Sequence, residues 1–145
     1  SPYALDITYD ATRHSDTMLS LIFTTYQFTG GAHGSTVIQT YTFDLANDRL
    51  IRLDDLFTNT NDALAIIAPL VEESLTTTLG DMLDADWLAQ GSGTDPQNYQ
   101  TFSLDANSIT FYFQQYQVAP YAAGLQTVTI PLAQLSSILA PDFAP

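Results

Sequence analysis

Two runs dense in β-branched and aromatic residues, 19–28 and 36–43, are joined by Thr29-Gly30-Gly31-Ala32-His33-Gly34. This pairing of strand-like runs around a glycine turn limits the fold more than anything else in the chain. Runs joined by so short a turn suggest antiparallel pairing. Three glycines in five positions mean that the backbone turns through angles closed to residues with a Cβ, or passes close to something else. A histidine sits inside the turn, which is therefore either a site or a piece of scaffolding.

The flanking sequence extends the pattern. Residues 3–11 alternate, with Leu5, Ile7 and Tyr9 on one face and Asp6, Thr8 and Asp10 on the other, as expected of a half-buried strand. Residues 13–16 read as a polar turn. In the next run Leu19, Leu21 and Phe23 share a face while Tyr26 and Phe28 fall on the other, which predicts a β-bulge near Thr24 and Thr25. Val37, Tyr41 and Phe43 are in phase in the run after the glycine turn. Together these runs give an antiparallel meander over 1–45.

The middle of the chain changes period. Asn47-Asp48 marks a tight turn, 50–53 a short strand, and 54–57 a helical turn capped by Asp54. Ile67, Leu70, Val71, Leu75 and Leu79 recur at helical spacing over 59–79. Pro69 is costly inside a helix, so a single kinked helix is expected. A second helix over 81–90, with Trp87 as a core anchor, is expected to end at Gly91. Residues 91–98 (Gly-Ser-Gly-Thr-Asp-Pro-Gln-Asn) read as a loop. Strands are then predicted at 99–104 and 108–113, joined by a turn at Asp105-Ala106-Asn107, and at 126–130. A terminal helix is expected from Pro131, with Leu132, Leu135, Ile138 and Leu139 as its stripe.

Strands, helices, strands and a helix in that order predict one α+β domain over 1–145. It would be an antiparallel β-sheet, formed by the meander and a C-terminal hairpin, with two or three helices packed on it. Residues 54–90 form a helical insert and 99–139 the last strands and helix.

Composition excludes several classes. The chain of 145 residues is 46% hydrophobic and only 13% charged, long and apolar enough for a sizeable core. Its 16 acidic residues face three arginines and no lysine, for a net charge of −13. Nucleic acid and anionic membrane surfaces would be repelled; cationic proteins would be attracted. The acidity itself reads first as a trait of solubility or habitat. Cysteine is absent, which removes disulfides and thiolate metal sites. No run of about 18 apolar residues is evident, so no membrane insertion is expected. The opening Ser1-Pro2-Tyr3 suggests a processed form or an excised domain.

Three segments carry a family resemblance: Phe-Thr-Gly-Gly-Ala-His-Gly at 28–34, Leu-Asp-Asp-Leu-Phe at 53–57, and 109–135, where a strand, a Val-Ala-Pro-Tyr-Ala-Ala-Gly loop, another strand and Ile-Pro follow closely. Together they resemble DUF3298 domains, with the tail of the associated DUF4163 region ahead, over residues 3–139. Similar domains form the outer part of lysozyme-responsive anti-sigma factors and the non-catalytic region of some peptidoglycan deacetylases. The resemblance implies an extracytoplasmic, envelope-linked domain without known catalytic residues or cofactor.

Read from the residues, the candidate chemistry is sparse. His33 could bind a ligand, but reads first as a histidine that fixes its turn through a ring–backbone hydrogen bond. His14 is the only other histidine, in a polar turn, so a two-histidine metal site would need the fold to bring both together. There is no Gly-x-Ser-x-Gly elbow, no phosphate loop and no EF-hand loop; Glu72 and Glu73 read as a solvated face, and Asp81, Asp84 and Asp86 as helix capping. No residue is assigned a catalytic or metal role. Tyr116, Tyr121 and Pro120, with Gln114, Gln115 and Gln117, make an aromatic and amide-rich loop suited to sugar or peptide contacts. His33, Tyr116, Tyr121 and Gln117 are the candidate binding residues. Gly30, Gly31, Gly34, Pro120 and Gly124 are the framework of their two loops. The expected role is a non-catalytic binding or sensing domain whose partner is a cationic envelope protein or a wall glycan. A wall-polymer hydrolase, a deacetylase accessory domain and a structural spacer are the alternatives.

Overall fold

The computed structural model describes residues 3–145; Ser1 and Pro2, the start of the expected meander, lie outside the described residues. Among the described residues, seven strands form two antiparallel sheets. The first has the order β1-β2-β3-β4, from Ala4–Ser15, Met18–Phe28, Ser35–Asp44 and Arg49–Ile51. The second has the order β5-β6-β7, from Phe102–Leu104, Ser108–Phe113 and Gln126–Pro131. Two α-helices lie between them in sequence, α1 at Thr60–Leu79 and α2 at Ala85–Ser92. The α+β class, the meander and the C-terminal hairpin are as the sequence predicts.

The core sits between α1 and the second sheet. The buried stripe of α1, Leu64, Ile67, Val71 and Leu75, belongs to one cluster with Ile109, Phe111 and Phe113 of β6 and Val128 and Ile130 of β7. Asn59 caps the helix by accepting a hydrogen bond from the Asp62 amide, 3.0 Å. Pro69 lies inside the helix on its exposed face, where the carbonyl it leaves unpaired can meet water. The stretch Thr60–Met82 is, by length and composition, apolar enough to cross a bilayer, more than the sequence reading allowed; its buried residues nevertheless belong to the domain core.

The sheets are joined by polar contacts as well as by the apolar core that Met18 and Ile51 enter. The edge of β5 runs across the inner face of the first sheet, and hydroxyl side chains satisfy its backbone. The Leu104 amide donates to Ser20 Oγ at 2.9 Å and the Phe102 amide to Thr40 Oγ1 at 3.0 Å. Thr12 Oγ1 donates to the Leu104 carbonyl at 2.7 Å, and Ser20 also bonds Thr42 Oγ1 at 2.7 Å. Buried donors and acceptors are thus paired, as burial requires.

This joint reverses an expectation. Leu5, Ile7 and Tyr9 do share a face, but it points to solvent, with exposures of 67%, 58% and 67%. Val37 and Tyr41 lie on that outer face too. The inner face holds the buried Met18, Ser20, Ile22, Ile38 and Thr42. No bulge is needed in β2, whose register with both neighbours is continuous from Met18 to Gln27; the one shift falls in β1, between Arg13 and Ser15. Tyr26 and Phe28 continue the inner row beyond the point where the second sheet covers it.

Other boundaries move for local reasons. The expected terminal helix is only a 3-10 turn, Leu132–Leu135; the chain then opens so that Leu139 bridges Phe57. Residues 99–101 are not strand: Pro96–Tyr99 is a 3-10 turn begun by Asp95. At Leu53–Asp55 the capping acid is Asp55, which accepts from the Arg52 amide at 2.7 Å, while Asp54 accepts from Thr60 Oγ1. Asp84 caps α2 as expected, by accepting from the Trp87 amide at 3.0 Å. That helix runs through Gly91 instead of ending there. A Cβ at Gly91 would overlap the Gln117 carbonyl, so this glycine permits a close approach.

Candidate functional site

The two glycine-bearing loops meet. Tyr121, in a 3-10 turn at Tyr121–Ala123, reaches across to residues 33–34. Its ring stacks on His33 with centroids 3.8 Å apart and planes 22° apart, and its hydroxyl donates to the Gly34 carbonyl at 2.9 Å. His33 Nδ1 lies 2.9 Å from the same carbonyl. Gly34 is buried, and a Cβ there would overlap the ring of Tyr26. The bend is therefore fixed from both sides, by Tyr26 and by Tyr121. Gly30, Gly31 and Gly124 all have positive φ, at 97°, 105° and 71°, and Pro120 leads into the Tyr121 turn.

Tyr116 joins this group, its ring 5.8 Å from that of Tyr121. It is 52% exposed and has φ of 68°, a conformation that is strained for a residue with a Cβ. Two bonds hold it there. The Gln117 amide closes a turn onto the Gln114 carbonyl at 3.0 Å, and Trp87 Nε1 donates to the Tyr116 carbonyl at 2.7 Å. Trp87 is accordingly a half-buried clamp on this loop, with Leu88 in the core place expected for it.

Gln117 points the other way. Its amide nitrogen donates to the carbonyls of Gly91 and Asn98, both at 3.0 Å, and its oxygen accepts from the Gln114 amide. Gln114 and Gln115 act on β3. The Gln114 amide accepts from the Ile38 N–H at 3.0 Å and donates to the Ile38 carbonyl at 2.7 Å, as a paired strand would. Gln115 accepts from the Thr36 amide at 3.0 Å. Sequence reasoning placed these glutamines in a binding loop; their side chains seal a strand edge and anchor the loop. The surface left is one of three stacked or tilted rings, His33, Tyr121 and Tyr116.

His14 lies elsewhere, its Nδ1 2.9 Å from the Asp105 carbonyl. Asp105 accepts from Ser108 Oγ at 2.7 Å and from the amides of Asn107 and Ser108, each at 2.8 Å. Burial raises its carboxyl pKa, but these bonds and the nearby His14 outweigh that and leave it below the ordinary value. A hydrolytic triad needs imidazole between hydroxyl and carboxylate. Here the carboxylate bonds the hydroxyl directly and shapes the β5–β6 turn. Among the described residues no group of three or more His, Asp or Glu side chains could hold a metal ion.

Comparison with known proteins gives a consistent result. Residues 54–133 match the family described as "Protein of unknown function (DUF3298)", and residues 1–36 match one described as "Deacetylase PdaC". The chain is 27% identical over 139 residues to peptidoglycan-N-acetylmuramic acid deacetylase PdaC of Bacillus subtilis, covering 96% of this chain and 30% of that protein. It is 29% identical over 143 residues to immunogenic protein MPT64 of Mycobacterium tuberculosis, covering 97% and 61%. It is 30% identical over 135 residues to esterase Rv3036c of the same species, covering 90% and 57%. The chain thus spans under two thirds of each relative. A solved DUF3298 family member from Bacteroides fragilis superposes with a TM-score of 0.77 at 27% identity, over 95% of this chain and 55% of that one. A second, from Pseudomonas aeruginosa, gives 0.75 at 21%, over 99% and 65%, a likeness of fold. The 54–133 match contains the Tyr116 and Tyr121 loop but not the glycine turn that it meets.

Proposed function

Because this chain belongs to the DUF3298 family, we propose that it is a non-catalytic, extracytoplasmic binding or sensing domain of the bacterial cell envelope. Its contact surface is the ring cluster of His33, Tyr121 and Tyr116, and its partner is a cationic envelope protein or a wall glycan. The observation that carries this reading is the stacking of Tyr121 on His33, with its hydroxyl on the Gly34 carbonyl. It holds two loops, far apart in sequence, as one preorganised aromatic surface, and preorganisation lowers the ordering cost of binding. The deacetylase relative, of which this chain matches only 30%, supports an accessory role beside another activity. Its name also supports an envelope location.

The test uses lysozyme, as a basic protein, and purified peptidoglycan as probes. His33→Ala combined with Tyr116→Ala keeps the fold and weakens binding to one of the two at least tenfold. Equal binding by variant and parent, or binding of neither probe by the parent, overturns the reading.

The esterase relative favours a second reading, a hydrolase acting through His33. Turnover of an aryl ester or of wall substrates that disappears in His33→Ala, with the fold retained, would establish it in place of the first.

A further inference from the structure

The two long edges of the first sheet differ. The β3 edge is closed, at Thr42–Asp44 by β4 and at Thr36 and Ile38 by the side chains of Gln115 and Gln114. The β1 edge is open. Among the described residues, only β2 pairs with its backbone. Its eight residues from Ala4 to Ala11 are all exposed, on both faces. Folded proteins normally blunt such an edge with charged side chains, proline, a bulge or a cover, because alternate backbone groups along it are free to pair. Here the bulge lies past Ala11, between Arg13 and Ser15, and the stretch from Ala4 to Ala11 has neither lysine nor proline; its charges, Asp6 and Asp10, are acidic and turn away an acidic strand but not a basic one.

We propose that the outer edge of β1 is a strand-addition site for an extended polypeptide segment that alternates apolar and basic side chains. The side chains of β1 set the chemistry. An added strand continues both faces of the sheet. On the outer face its side chains lie beside Leu5, Ile7 and Tyr9, exposed by 67%, 58% and 67%. On the other face they lie beside Asp6 and Asp10, in a chain of net charge −13. Cross-strand neighbours of opposite charge attract, and like charges repel. The same repulsion weighs against a second copy of this chain, which would bring another acidic row and another −13. This inference does not rest on the ring cluster or on its partner.

The test uses the 145-residue chain and a capped ten-residue peptide of alternating valine and lysine, as an estimate of the length that spans the edge at about 3.4 Å per residue. Controls are a peptide of the same composition in block order and a valine–glutamate alternation. Binding is read by fluorescence anisotropy and amide hydrogen exchange. The alternating basic peptide binds and slows exchange at the outward amides between Ala4 and Ala11, while both controls bind at least tenfold more weakly. Ile7→Lys, at an exposed position, and Asp6→Asn with Asp10→Asn each weaken binding at least tenfold, and unchanged β2 amide protection reports an intact fold.

Four outcomes overturn the proposal. They are no binding of the basic peptide, equal binding of the block-ordered one, protection outside β1, and concentration-dependent protection of β1 without peptide, which would make the occupant a second copy.

Discussion

Tyr99 is completely buried, its hydroxyl donating to the Ser92 carbonyl at 2.6 Å and its ring packed edge-on against Phe111 and Phe113. Burial, with the Glu72 carboxylate adding to it, pushes the phenol pKa far above its ordinary value. An unfolded tyrosine ionises near pH ~10. The folded state keeps its proton beyond that point, so this side chain contributes fully below about pH 10 and progressively less as pH rises further. Tyr99→Phe should cost about 1 kcal/mol at neutral pH, the net value of one hydrogen bond. It should also flatten the decline of stability above about pH 10. Urea unfolding of both proteins from neutral to alkaline pH checks this; parallel curves would refute it. Tyr116 shows the opposite relation of residue to fold, a strained and exposed residue held by a tryptophan clamp. Its φ depends on a turn and a distant helix that no local pattern announces.

At the scale of elements, side chains here do work usually left to backbone. Gln114 stands in for a paired strand at Ile38, and both halves of its amide are used. Gln114→Ala should destabilise the domain by about 2 kcal/mol and speed amide exchange at Ile38. Gln114→Glu keeps the acceptor but sets an anion against the Ile38 carbonyl, so it should rescue little. Exchange at Ile38 unchanged in both variants would show that the edge does not depend on this residue. Helix α2 shows how a glycine can mislead. In sequence Gly91 looks like a terminator, yet in the fold it lets the Gln117 carbonyl lie against the helix. Gly91→Ala should cost about 3 kcal/mol through overpacking against backbone that cannot yield. In a domain of this size that lowers Tm by about 10 °C, readable by calorimetry. A loss below about 1 kcal/mol would mean that the loop gives way instead.

At the scale of the molecule, the fold depends on a joint between sheets built from hydroxyls. Ser20 is the centre of it, bonded to both the Leu104 amide and Thr42. Ser20→Ala leaves a buried N–H without its acceptor and should cost about 3 kcal/mol, with faster exchange at the Leu104 amide. A stability change near zero would place the hold between the sheets elsewhere. The sequence by itself determined what depends on neighbours along the chain. The meander, the long helix, the hairpin at Asp105 and the pairing of two glycine-bearing loops with aromatic strands all follow from periodicity and turn chemistry, which are local. The three segments that resemble the family were legible for the same reason. Tertiary structure alone decided which face of the meander is covered. Alternation defines two faces, but the one with Leu5, Ile7 and Tyr9 lies open because Ser20, Thr40 and Thr12 on the other meet the free edge of β5. It also decided that His33, Tyr121 and Tyr116 form one surface while Gln117 turns inward. That outcome is set by contacts between residues far apart in sequence, such as Tyr121 to Gly34, 87 positions away, and Gln117 to Gly91, 26 positions away. Pairing at such range leaves no periodic trace in the chain, because nothing in the intervening sequence repeats to record it.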